Sequence, residues 1–378
     1  TDDKDRRLLN TLMQTIYTPA AVKDGFKLSE SGTYTTPLGG SHASYLEYIA
    51  TLPILPLPEA FGLHDNADIT KDLNQTSLLT ETLMKTIGGA SSGGGGQEAL
   101  VAKVTKEILD KLPPNFDIEN VQRKFPVRYE ESMNTVLAQE MLRYNRLLSI
   151  IRVSLQQLQR AIAGLSVMSG DLEKVFNSFA VGQVPVMWMG KSFPSLKPLA
   201  SYVVDLLARL NLFESWFQNG QPANFWISGF FFTPSFTTAS LQNFARLNNY
   251  AIDVVGFEME MLSTEPGDYT TAPSSGIYVH GLFLEGCAWD KEKKVLRESR
   301  PKVLFDPAPC IWLKPVLLKD LTEYPNYACP VYRTAERKGV LATTGHSTNF
   351  LMMMKMPTVQ PEDHWVMRGV CMLCSLSD

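Results

Sequence analysis

Between residues 134 and 168, Leu137, Met141, Tyr144, Leu148, Ile151, Leu155, Leu158, Ile162 and Leu165 recur at alternating steps of four and three. At helical pitch this spacing places all of them on one seam of a single long helix. The positions between them carry Gln139, Glu140, Arg143, Arg146, Arg152, Gln156, Gln157 and Arg160, which predicts a wet opposite side. No proline interrupts the run; Pro126 precedes it, and Gly164 and Gly170 close it. Such a seam suits either a coiled coil or a spine on which a second layer packs. About four heptads is short for a coiled coil, so the spine is the expectation.

The chain's 378 residues have room for two or three domains, each with its own core. Apolar residues at 44% and charged residues at 20% suit a folded soluble chain and exclude a largely disordered one. A net charge of −4 gives no electrostatic ground for a nucleic-acid or anionic-membrane partner. No apolar run approaches the roughly 20 residues of a spanning helix. Cys287, Cys310, Cys329, Cys371 and Cys374 are odd in number and follow no secretory signal, so they read as reduced intracellular thiols. The chain opens Thr1-Asp2-Asp3-Lys4, with neither an initiator Met nor a targeting sequence, which suggests a piece of a longer polypeptide.

In sequence order, helical spacing is predicted over 5–17 (Leu8, Leu9, Leu12, Met13, Ile16) and again at 45–49. Residues 52–58 alternate apolar side chains with prolines and should form an extended connector lying in a surface groove. Residues 69–87 resume helical spacing, with Leu73, Leu79, Leu83 and Ile87 as a buried stripe. Residues 90–96, ending in four glycines, read as a flexible linker. A helix over 97–112 is stopped by Pro113-Pro114, and further helices follow the spine at 171–180, 199–217 and 235–248. From residue 251 the period becomes two, with strands predicted at 255–261, 277–285, 295–296, 303–305, 311–313, 328–333, 350–356 and 365–376. Residues 290–294 form a charged turn. The fold class is therefore α+β, with helices first and then an antiparallel barrel or sandwich.

The sequence carries no complete catalytic or ligand-binding motif. Gly190-Lys191-Ser192 imitates a phosphate loop, but position 185, where the leading glycine belongs, is Pro185, which has no N–H to give. His42, His64, His280, His346 and His364 are scattered singly. Cys371 and Cys374 would point to opposite faces of a strand, poor geometry for shared chelation. Residues 352–356 (Met-Met-Met-Lys-Met) suit a buried strand better than a partner surface, and Phe230, Phe231 and Phe232 default to core. No catalytic, cofactor-binding or metal-binding residue is assigned. Two other classes compete: a free-standing intracellular scaffold or adaptor, and an enzyme using a thiol such as Cys287 or Cys371, which would need a depressed pKa.

Several strings resemble the C-terminal end of dynein heavy chains, axonemal ones in particular. They are FGLHDNADI (61–69), PVRYEESMNTVLAQEMLRYNRLL (126–148), SFPSLKPLASYVVDLLARL (192–210), FWISGFFF (225–232), GIYVHGLFLEG (276–286), PKVLFDPAPCIWLKP (301–315) and HWVMRGVCMLCSL (364–376). They come in family order over nearly the whole chain, and the opening TDDKDRRLL resembles the start of the lid of the sixth AAA module. The resemblance implies that residues 1–112 are that helical lid and 113–378 the C-terminal domain, helical over 113–250 and a β-barrel-like cap over 251–378. It implies a non-catalytic segment with no cofactor of its own, capping and regulating the AAA ring of the same heavy chain. ATP/ADP and Mg would belong to the parent, a minus-end-directed microtubule motor for ciliary and flagellar beating. Implied partners are microtubules through the parent and dynein intermediate and light chains, with no nucleic acid and no membrane. The implied location is the cytoplasm and cytoskeleton, in the axoneme of cilium or flagellum.

Overall fold

The computed structural model of the protein describes residues 3–90, 94–337, 339–341 and 345–377. Helices α1 (Asp3–Ile16), α2 (His42–Thr51), α3 (Asn66–Ala90), α4 (Gly94–Lys111) and α5 (Ile118–Lys124) precede α6 (Ser132–Ile162). Then come α7 (Gly170–Ala180), α8 (Val186–Met189), α9 (Leu199–Asn219), the short strand β1 (Asn224–Trp226) and α10 (Thr233–Leu247). The expected spine is α6. Leu137, Met141, Tyr144, Leu148, Ile151, Leu155 and Leu158 are all fully buried, and α4, α5, α7, α9 and α10 pack around the helix. It ends at Gly164, whose φ of +72° lets the Leu165 N–H donate to the Arg160 carbonyl at 2.9 Å. Leu165 lies past that turn and is exposed, so the seam is one residue shorter than its spacing predicts.

The polar residues of α6 tie neighbouring segments to it. Tyr144 donates its hydroxyl proton to the Gly229 carbonyl at 2.8 Å. Asn145 takes the Phe116 N–H and donates to the Phe116 carbonyl, both at 2.8 Å, holding the segment ahead of α5. Ser154 accepts from the Trp188 indole at 2.9 Å. Aromatic rings fill the space between, with Phe230 and Phe236 stacked at 4.2 Å. Of the phenylalanine triplet, Phe230 is buried, Phe231 half-buried and Phe232 exposed beneath the Arg143 guanidinium.

The β region holds β2 (Val255–Leu262), β3 (Ile277–His280), β4 (Phe283–Glu285), β5 (Ala288–Asp290), β6 (Val295–Arg297), β7 (Phe305–Pro307), β8 (Cys310–Leu317), β9 (Asn326–Thr334), β10 (Phe350–Pro357) and β11 (Cys371–Ser375). They form a four-stranded sheet in the order β1-β3-β8-β2, a five-stranded sheet in the order β10-β9-β11-β4-β7, and a β5-β6 hairpin. The class is α+β, but two expectations need correction. Pairing is antiparallel except that β1–β3 and β9–β11 run parallel, and no barrel closes among the described residues. Edge strands β2 and β10 meet without a ladder: the Tyr324 hydroxyl bridges them, donating to the Lys355 and Met259 carbonyls at 3.0 and 3.4 Å. The strand predicted over 365–376 is split, because Trp365 lies in the short helix α11 (Glu362–Met367) and the strand begins at Cys371. The strand predicted over 277–285 breaks at Gly281, where φ is +89° and a Cβ would collide with the Trp226 ring. In the expected charged turn, Asp290 Oδ1 accepts from the Glu292 and Lys293 amides at 3.0 and 2.9 Å.

The first hundred residues depart furthest from expectation. Leu73, Leu79 and Leu83 of α3 are exposed rather than buried, and Ile54 and Leu55 of the connector face solvent with no groove beneath them. On α1, Leu9 and Ile16 are likewise exposed. Helical spacing says that a face is apolar; it does not say that the same polypeptide supplies the cover. The side chain of Ile87 lies outside the described residues, as do residues 91–93 of the expected linker; Gly94, Gly95 and Gly96 form the first turn of α4.

The buried seam gives a direct test. Leu148→Ala should cost about 2–5 kcal/mol, as deletion of a fully enclosed aliphatic side chain does. Leu165→Ala should stay within about 0.5 kcal/mol, as exposed substitutions do. Denaturant unfolding of the two variants measures both, and equal costs would contradict the seam ending at Gly164.

Candidate coupling interface

Residues 1–67 meet the β region along α1 and α11. Arg7 of α1 donates through Nη1 to the Ala328 carbonyl at 2.9 Å and pairs with Glu362 at 3.0 Å. Its guanidinium also lies 5.3 Å over the Tyr327 ring, and Tyr327 passes its own hydroxyl proton to the Val370 carbonyl at 2.7 Å. One turn on, the buried Thr11 hydroxyl donates to Asp363 at 3.0 Å. At the N-terminal end Lys4 stands 3.5 Å over the Phe350 ring.

The far end of α11 is held by Arg368. Its Nη1 reaches the Gly62 and Leu63 carbonyls at 3.2 and 3.4 Å, Nη2 pairs with Glu30 at 3.2 Å, and Nε lies 3.3 Å from Glu298. Gly62 has φ of +76°, and a Cβ there would come 2.6 Å from the Met367 methyl, so close packing of these two segments requires glycine. Asn66, the first residue of α3, is buried and bonds the loop after β6: Nδ2 donates to Arg300 and Val303 carbonyls at 2.9 Å, and Oδ1 accepts from the Lys302 amide at 2.7 Å. Between α1, the 27–34 turn and α11 lies a cleft of about 740 Å³, floored by Leu12, Ile16, Leu28 and Met367. Neither spacing nor motif points to any of these partners. Arg7 and Glu362 are 355 positions apart, and a single sequence carries no signal linking them. Asn66 falls inside a string that stands out by its family resemblance alone.

A second junction joins the helical layer to the sheets. Glu140, expected on the wet side of the spine, is fully buried. Its carboxylate accepts the Phe231 and Phe232 amides at 2.5 and 3.0 Å and pairs with Arg143 at 2.8 Å, fixing the backbone where it enters α10. Glu140 stands three residues after Leu137 and four before Tyr144, so the spacing that placed those two inside also covered it; charge alone argued otherwise. Burial raises its carboxyl above the usual carboxylate range, against the opposing pull of the amide donors and Arg143.

The residues weighed for chemistry are placed as follows among the described residues. Gly190 is in right-handed helical conformation at the end of α8, so the backbone there does not wrap a phosphate. Every cysteine is buried and free; burial pushes Cys371 up to about 12 and Cys374 up to about 11, and raises Cys287 and Cys329 as well. That is the reverse of an activated thiol. Cys371 and Leu373 face one apolar cluster and Met372 and Cys374 another, which puts the two thiols on opposite faces of β11. Among the described residues no three His, Cys, Asp or Glu side chains are grouped to hold a metal ion, and no helix is long and apolar enough to cross a membrane.

What the geometry offers is a contact between two parts of one polypeptide, and comparison with known proteins shows what those parts are. Residues 1–67 match the family described as the AAA lid domain of dynein heavy chains, and residues 73–374 match the C-terminal domain of dynein heavy chains. The protein belongs to the dynein heavy chain family. It is 49% identical to Dynein axonemal heavy chain 12 of Homo sapiens over 381 residues, covering all of this sequence and 12% of that protein. It is 48% identical to Dynein axonemal heavy chain 3 of Mus musculus and 46% to Dynein axonemal heavy chain 1 of Homo sapiens, covering 9% of each. This dynein segment thus spans about a tenth of the length of the relatives it matches. The α1–α11 and Asn66 contacts, and those of Arg368 with Glu30, Gly62 and Leu63, run from lid-matched to C-terminal-domain-matched residues.

Glu140 predicts a pH dependence. A carboxyl whose folded pKa is raised contributes most below its unfolded value of about 4.3, and that contribution is lost as pH rises through the folded value. The Tm of the unaltered protein minus that of Glu140→Gln should therefore fall as pH rises above about 4.3. Melts at a series of pH values measure it; a difference that grows with pH would mean that the amides and Arg143 outweigh burial.

Proposed function

We propose that this protein is the C-terminal, non-catalytic part of an axonemal dynein heavy chain, capping and regulating the AAA ring of the same polypeptide. The observation that carries this reading is near-half identity over the whole sequence to several axonemal heavy chains. The parent would be an ATP-driven, minus-end-directed microtubule motor of the cilium or flagellum, located in the axonemal cytoskeleton. ATP/ADP and Mg would be held elsewhere in it, and intermediate and light chains would accompany it. We further propose a working division into a lid over 1–112 and a C-terminal domain over 113–378, helical over 113–250, with the two sheets of 251–378 acting together as a barrel-like cap. Pro113-Pro114 and the end of α4 at Lys111 support a break there. The raised thiols speak against the cysteine-enzyme alternative. A free-standing adaptor finds no support in relatives that carry this stretch as a tenth of a much longer polypeptide.

The test is made on the full-length heavy chain. Removing residues 113–378 should leave basal ATP turnover in place while shifting its coupling to microtubule binding by about fivefold or more, within the usual range of coupling energies. ATPase assays with and without microtubules, and gliding velocity, measure it. Loss of basal turnover would show that the segment takes part in the chemistry; unchanged coupling would remove its regulatory role.

A further inference from the structure

Lid and cap meet through two kinds of contact that differ in how water reaches them. Asn66 is 8% exposed, and its amide makes three hydrogen bonds to residues 300–303, using both N–H donors and the oxygen. Lys302 in that loop has φ of +66°, a shape that a side-chain-bearing residue holds only when its surroundings enforce it. The loop runs directly into β7, where the buried Asp306 accepts the Trp289 amide of β5 at 2.9 Å. Asn66 therefore grips a segment fastened to β5 and β7.

Along α11 the contacts are of mixed kind: the Thr11–Asp363 bond and the Arg368 bonds to the Gly62 and Leu63 carbonyls stand beside two ion pairs, each with a partner in water. The Arg7 and Glu362 side chains are 25% and 49% exposed, and Arg368 and Glu30 are 15% and 85% exposed. Exposed pairs of this kind are weak and screened by salt. Enclosed amide hydrogen bonds are neither, since breaking them leaves buried groups without partners.

We propose that the lid is hinged on the cap, with Asn66 as a fixed pin and the Arg7 and Arg368 pairs as a releasable catch. The lid can then swing off α11 about the start of α3 while residue 66 stays fastened to residues 300–303. The motion uncovers the half-buried Leu12 and Met367 of the cleft. This deepens the coupling role proposed above and rests on it for its purpose, though not for its test.

The test uses the full polypeptide that carries this sequence and two reporters. Hydroxyl-radical labelling of Met367, which packs on Gly62, reports the catch, and hydrogen exchange of the Lys302 amide reports the pin. Raising KCl from about 0.1 to about 1 M shortens the screening length from roughly 10 to roughly 3 Å. Met367 labelling should rise about threefold or more across that range, with Lys302 exchange unchanged. Arg368→Gln should reproduce the rise at low salt. Asn66→Ala should speed Lys302 exchange about tenfold or more, the loss of one hydrogen bond's worth of protection. Should that variant fail to fold, the salt series on the unaltered polypeptide decides. Salt that moves both reporters together, or neither, overturns the hinge; because neither reporter depends on motor activity, that result leaves the motor reading standing.

Discussion

A helix covered on most of its surface cannot leave a polar side chain without a partner, and this constraint organises the molecule around α6. Its apolar seam supplies the driving force, since seven consecutive seam residues from Leu137 to Leu158 are removed from water. Its polar residues supply the addresses. Glu140 holds the entry to α10, Tyr144 holds Gly229, Asn145 holds Phe116 and Ser154 holds Trp188. Burial alone would let these segments slide on a greasy surface. Each hydrogen bond picks one position, because the alternative is an unsatisfied group in a dry interior.

The junction between lid and cap follows the opposite principle. Apart from Asn66, its contacts mostly involve a charged side chain and are scattered over α1, the turn near Glu30 and both ends of α11. Interfaces between parts of one polypeptide commonly resemble transient protein–protein contacts, and this one does. The exposed Leu8, Leu9, Met13 and Ile16 of α1 point the same way: this lid-matched helix buries little of its own apolar surface within these 378 residues. Under the role proposed above, a firmly built cap and a lightly attached lid would suit an element that registers movement.

The long-period features were legible in the sequence. The α6 seam, the helix ending at Pro113-Pro114, the helices near 171–180, 199–217 and 235–248, and the change to period two after residue 251 each reflect side-chain spacing over many residues. Such spacing is set by helix or strand geometry whatever the surroundings. The family strings, too, were local and could be read directly. The candidate interface was almost entirely hidden. Arg7 meets Glu362, Thr11 meets Asp363 and Asn66 meets the 300–303 loop across separations of more than 200 residues, and none of these side chains departs from its local pattern.

What the sequence determined by itself was which segments are helical or extended and which residue types they present, because these depend on neighbours a few positions away. Tertiary structure decided which faces are covered. It buried Glu140, which its charge had marked for solvent, and exposed Leu73, Leu79 and Leu83, which their spacing had marked for the core. It also left β2 and β10 joined by the Tyr324 hydroxyl and by the Lys355 amide on the Met259 sulfur instead of a ladder that would close a barrel. The physical reason is common to all three. Burial and strand closure depend on what lies across from a residue in space, and periodicity along the backbone holds no information about that.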